Sequence, residues 1–181
     1  PYQLSPSTIN IMADCPRCFW MEIKKNIKRP RGIFPSLPSG MDRILKEHFD
    51  ACAKLGLLPP EIKELEAEGV KVFNEKILDS WRDSRRGILW KDKYGNILKG
   101  VIDALLVKGT KFIILDYKTR GYPLKEDTHE HYTDQLNIYN YLLRKNNYET
   151  EDYFYLLFYH PDRVIDSVIR FNTDIVKVPV N

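Results

Sequence analysis

Two carboxylates and an ammonium stand where bare charge is most costly. Asp103 lies in Gly100-Val101-Ile102-Asp103-Ala104-Leu105-Leu106, inside the nearly all-apolar stretch Ile97 to Val107. Asp116, thirteen residues after Asp103, and Lys118 end a second apolar stretch that begins at Phe112. A carboxylate buried there without a partner is strongly disfavoured. Either each acid pairs with a buried Arg or Lys, or the two converge on a cation. Oxygen ligands from neighbouring strands suit Mg²⁺ or Mn²⁺, and the Tyr117 carbonyl would add a third. Lys118 is two residues from Asp116, so both side chains point to one face of a strand. The lysine would position or polarise a water against a phosphate. That chemistry is metal-assisted phosphodiester hydrolysis.

The elements around these residues must hold them together. Ile97 to Val107 and Phe112 to Lys118 read as strands joined by a hairpin turn at Lys108-Gly109-Thr110. Ile88 to Lys91 reads as a short strand before a turn at Tyr94-Gly95-Asn96, while Asp152 to Tyr159 and Val164 to Phe171 read as later strands. Helices are expected from about Thr8 to Lys25, divided or kinked at Pro16, from Gly40 to Leu55, and from His131 to Lys145. Ser5-Pro6 marks the first helix start. In the second helix Ile44, Leu45, Phe49, Cys52 and Ala53 recur at helical spacing. Lys28 to Ser39 reads as a loop, Glu61 to Glu68 as a short helix or turn, and Val70 to Trp81 fits either strand or helix. Tyr153, Phe154, Tyr155, Phe158 and Tyr159 read as core rather than as a base-stacking platform. The order gives an α/β fold, a mixed sheet covered by helices.

With 181 residues and 43% apolar composition, one folded domain over 1–181 with a sizeable core is expected. No apolar run approaches a membrane span. The chain opens at Pro1 with no charged-then-apolar leader, which points to a processed or trimmed start and a cytoplasmic protein. Three cysteines fit a reducing compartment. Net charge is only +3, so the distribution of charge matters more than its sum. Lys24, Lys25, Lys28, Arg29 and Arg31 form one basic cluster, and Arg82, Arg85 and Arg86 form another. Each would either track a phosphate backbone or be a solvated helix end.

Gly-Val-Ile-Asp followed by Asp-Tyr-Lys-Thr resembles the PD-(D/E)XK nuclease superfamily, and its RecB-like branch, which includes CRISPR-associated exonucleases, in particular. Gln135-Leu136-Asn137-Ile138-Tyr139 matches that branch's Gln-x-x-x-Tyr helix, and Leu4-Ser5-Pro6-Ser7 with Cys15-Pro16-Arg17-Cys18-Phe19-Trp20 is similar to its opening. The resemblance implies a restriction-endonuclease-like fold and an Mg²⁺- or Mn²⁺-dependent deoxyribonuclease of repair, recombination or defence, with DNA as partner and a larger complex as its setting. Asp103 and Asp116 would bind metal, Lys118 would act on the water, and Gln135 and Tyr139 would support the site. The branch's metal-binding His after the second helix's Gly has no counterpart here: Gly40 is followed by Met41-Asp42-Arg43-Ile44. Either Asp42 substitutes or the ligand is missing, and a missing ligand implies a catalytically weak or inactive nucleic-acid-binding module on the same fold. The branch's iron–sulfur cluster needs C-terminal cysteines, and no cysteine follows Cys52. A separate possibility is a zinc staple of Cys15, Cys18, His48 and Cys52.

Overall fold

The computed structural model describes every residue except Arg31, Ile33 and Phe34. The chain runs through β1 (Gln3–Leu4), α1 (Pro6–Asp14), α2 (Pro16–Lys25), α3 (Ser36–Lys54), a 3₁₀ helix (Pro60–Glu68), β2 (Val70–Val72), α4 (Lys76–Arg82), β3 (Ile88–Lys91), β4 (Ile97–Gly100), β5 (Ala104–Lys108), β6 (Lys111–Thr119), α5 (Glu130–Lys145), β7 (Tyr153–Ile165) and β8 (Val168–Pro179). A five-stranded mixed sheet of order β2-β5-β6-β7-β8 is the centre, with only β6 and β7 parallel. A smaller sheet of order β1-β4-β3 stands beside it. Helices flank the central sheet, as the α/β, restriction-endonuclease-like expectation requires. α3 and the 3₁₀ helix cover one face, and α5 covers the other.

The expected first helix is cut in two at Cys15. That residue is extended and caps both neighbours: its N–H bonds Ile11 O, and its Sγ accepts from the Cys18 N–H. Pro16, with no N–H, then starts α2. Ser5 caps α1 by a reciprocal exchange with Thr8. Neither helix reaches the main core. They line an apolar cavity of about 450 Å³ with Trp90, Leu98 and Tyr141. α3 begins four residues before Gly40, because Pro38 falls in its first turn, where a missing N–H costs nothing. It buries Leu45, Phe49 and Ala53, while Ile44 is exposed.

The largest correction concerns Ile97 to Val107. This stretch is two strands in two sheets: β4 pairs with β3 and β1, and β5 pairs with β6 and β2. Val101, Ile102 and Asp103 are the link between them. Ile102 is fully buried, and its N–H is satisfied by the Trp81 carbonyl instead of by a strand partner. Gly100 is required just before this link. A Cβ there would lie 2.7 Å from Leu142 Cδ1 and 2.9 Å from Tyr139 Cδ1, so its absence lets α5 close against β4. Val70 to Trp81, which fitted strand or helix, is both: β2, then α4. Val164 to Phe171, expected as one strand, is instead cut by a tight two-residue hairpin at Asp166-Ser167, both at positive φ, so Val164 and Ile165 end β7 and Val168 begins β8.

Candidate functional site

The site lies where β5 begins and β6 ends. Ala104 pairs with Leu115, so Asp103 and Asp116 stand one step beyond the last rung of that antiparallel ladder. The apolar strands bring both acids to this pole. β6 is held in the sheet by Ile113, Ile114 and Leu115, all buried, and carries Asp116 and Lys118 with it. Lys118 Nζ is 2.6 Å from Asp116 Oδ2 and lies over the Tyr132 ring of α5, 5.1 Å from its centroid. The alternation rule thus puts lysine and acid on one face, as the spacing implied.

Asp116 is 5% exposed. Burial pushes its carboxyl up to about 6; Lys118 pulls it back down, and Asp103 and Asp42 push it up again. Asp103 is held from behind: Arg82 of α4 donates from Nε to its backbone carbonyl at 2.6 Å and from Nη1 to Asp50 of α3 at 2.6 Å. Arg82 is therefore turned inward as a clamp on the link, not outward with Arg85 and Arg86.

The residue that the sequence reading missed is Lys46. Its ammonium donates to Asp42 Oδ2 at 3.0 Å and stands 3.0 Å from Asp103 Oδ1. Burial opposes that charge, but the two carboxylates outweigh it and hold the amine above its ordinary range. The resemblance calls for a His after Gly40. A lysine on the next turn after Asp42, beside the buried Leu45, was the available signal. Asp42 meets the pole through this lysine.

Asp103 Oδ1 and Asp116 Oδ2 are both buried and accept no hydrogen bond, although each has an ammonium at ion-pair distance. Among the described residues, no group of three His, Cys, Asp or Glu is arranged to hold a metal ion. The arrangement does not fit a protein metal cage: the two carboxylates are each taken by a lysine, Asp103 by Lys46 and Asp116 by Lys118. The Tyr117 side chain turns to the other face, stacked on Phe49 of α3 at 5.0 Å. Its carbonyl lies beyond the β5 rungs, in the part of β6 that pairs with β7. The zinc quartet is not assembled either. Cys15 Sγ serves the helix junction, and His48 Nε2 stands 3.0 Å from Glu61 Oε2 on the 3₁₀ helix. All three thiols are free.

α5 brings Gln135 and Tyr139 to the lip of the site. Gln135 Nε2 donates to the Tyr139 hydroxyl at 2.7 Å. Burial pushes that hydroxyl up to about 12; the bond from Gln135 pulls it down, and Asp116 and Asp103 push it up. The acidic pole is thus felt at Tyr139. Gln135 and Tyr139 line a cavity of about 290 Å³ with Ser5, Ser7, Ser84, Lys99 and Val101. A second cavity, of about 560 Å³, shares Ser5 and Lys99 with it and continues along Thr8, Asn26 and Lys28. The two form a polar groove from the lip to the first basic cluster. Of that cluster, Lys28 lines the groove, Lys24 reaches the Tyr2 hydroxyl, Lys25 lies over Trp20 and Arg29 pairs with Asp14. Arg31 falls outside the described residues. In the second cluster Arg85 and Arg86 are exposed, Arg86 pairs with Asp83, and Lys99 Nζ donates to the Arg85 carbonyl.

Compared with known proteins, the chain matches the family model described as the PD-(D/E)XK nuclease superfamily over residues 3–174. No curated protein matches it.

Proposed function

This chain belongs to the PD-(D/E)XK nuclease superfamily, and from that membership we propose that it is a nucleic-acid-binding module built on the nuclease fold, with hydrolysis weak or lost. The observation that carries the binding half is the polar groove from Gln135 and Tyr139 past Lys99 to Lys28. Its serine hydroxyls and ammonium groups are the donors that a phosphodiester backbone accepts. DNA is the proposed ligand, a single domain the proposed unit, and the RecB-like branch the proposed place within the superfamily. The Gln135–Tyr139 pair supports that branch. The weak-catalysis half rests on the lysine-closed pole and on the lack of a three-ligand metal group among the described residues.

One observation favours a second reading, Mg²⁺- or Mn²⁺-dependent DNA hydrolysis. Asp103, Asp116 and Lys118 stand together at one pole, with two carboxylate oxygens that accept no hydrogen bond. End-labelled single- and double-stranded DNA, incubated with wild type and with Lys118→Ala in Mn²⁺, Mg²⁺ or EDTA, separates the two. The module reading expects binding in EDTA that weakens steeply with salt, loses affinity in Lys99→Glu, and yields no metal-dependent product. Cleavage that requires metal and disappears in Lys118→Ala would move the conclusion to hydrolysis.

A further inference from the structure

We propose that the Lys46 ammonium takes the place of a divalent cation at this pole, so that the centre rests metal-free and stays closed to metal while that side chain is present. The inference rests on the module reading above, because it supplies a physical cause for weak hydrolysis.

Three carboxylates, Asp42, Asp103 and Asp116, face two ammonium groups, Lys46 and Lys118. A single net negative charge remains. Without Lys46 the same acids would leave two, enough to attract a divalent ion. With it, the attraction is halved, and the nearest oxygen of Asp103 already has a cation 3.0 Å away. An ammonium gives a metal no lone pair, so it cannot act as the missing third ligand. Mg²⁺ demands six oxygens in near-octahedral array and gives up its waters reluctantly. To enter, it must first expel the amine.

The amine is not free to drift away. Lys46 lies between Leu45 and Phe49, two of the three buried residues of α3, and Phe49 stacks on Tyr117 of β6. Asp42, one turn earlier, holds the ammonium from the other side. Arg82 fixes the partner by gripping the Asp103 carbonyl and, through Asp50, the same helix α3. Arg82 thus ties the Asp103 backbone to the helix that carries Lys46. Asp116 is closed in the same way: its buried Oδ2 has the Lys118 ammonium 2.6 Å away.

Mn²⁺ titration followed by electron paramagnetic resonance of the free ion tests this in the whole chain, wild type beside Lys46→His and Lys46→Ala, each checked for folding by circular dichroism. The expected result is that the folded variants bind Mn²⁺ at least about tenfold more tightly than wild type. Their thermal midpoints should also rise with Mn²⁺ while that of wild type stays flat. Lys46→Ala carries the test if Lys46→His fails to fold. Wild type binding Mn²⁺ as tightly as either variant overturns the proposal, as does a folded pair with no gain. Tight binding by wild type alone is decisive against it even if both variants unfold. DNA binding in EDTA is measured on the same samples. Its loss beside the expected Mn²⁺ pattern would sink the module reading and leave the role of Lys46 standing.

Discussion

The two faces of the central sheet are built from different chemistry. β7 shows it within one strand. Phe154, Leu156 and Phe158 turn toward α5, and Tyr155, Leu157 and Tyr159 turn toward α3 and the 3₁₀ helix. On the α5 face the one tyrosine of the core, Tyr139, has its hydroxyl bonded by Gln135 at the lip of the site. On the α3 face the hydroxyls of Tyr117, Tyr155 and Tyr159 are buried without a partner, and burial pushes all three upward from their ordinary range. Each orphaned hydroxyl costs about 1–3 kcal/mol. The α5 face, where the buried Asn140 Oδ1 is left without a partner, is therefore the better-satisfied half of the core, and the α3 face, with three orphaned hydroxyls, the more costly one. The two lysines of the pole divide the same way: Lys118 rests against Tyr132 of α5, and Lys46 comes from α3.

The sharpest way to break this comparison is to hollow the satisfied face. Phe158→Ala removes a fully buried ring from it and should lower unfolding free energy by about 3–5 kcal/mol in urea titration. A loss under about 1 kcal/mol would mean that this face does not carry the fold. Next comes the acid at the junction. The folded-state value of Asp116 lies above its unfolded one, so the folded chain binds that proton more tightly. Its contribution is complete below about 4 and is lost as pH rises through about 6. Asp116→Asn should flatten that part of the stability profile, by roughly 3 kcal/mol across the window, in urea midpoints measured against pH. An unchanged slope would show that Asp116 is not the titrating group. The smallest effect is on the costly face. Tyr117→Phe deletes a buried hydroxyl that bonds nothing and should be neutral or stabilising by about 1 kcal/mol. A clear thermal destabilisation would show that the hydroxyl has a partner and that the faces differ less than described.

The sequence made β6 easy to read. Its apolar run ends in Asp-x-Lys, and a strand of period two leaves only one way to place those side chains. The hairpin at Lys108–Thr110 was equally local, since Gly109 takes a positive φ there. The break at Val101–Asp103 was not legible, because no Gly or Pro falls inside the link and all its neighbours favour strand. The break is imposed from a distance: β3 and β1 claim one half of the stretch and β6 the other. Lys46 was invisible for a related reason. Its value comes from facing Asp103, 57 positions along the chain, and a lysine on a helix otherwise reads as surface. Arg82 was misplaced because a run of three arginines looks like one patch, whereas α4 ends at Arg82 and turns it inward while Arg85 and Arg86 follow in the loop.

The three-residue link before β5 is a mechanical joint. On one side the chain is fixed to the small sheet, and on the other to the large one, while Asp103 belongs to neither ladder. Any rocking of one sheet against the other must be absorbed by the torsions of Val101, Ile102 and Asp103. Such rocking swings one carboxylate of the pole and leaves Asp116, embedded in β6, where it is. The angle between the two sheets thus bears on the spacing between the two acids, beside the β5–β6 ladder that ends next to them. The Arg82 clamp is the brake on that angle.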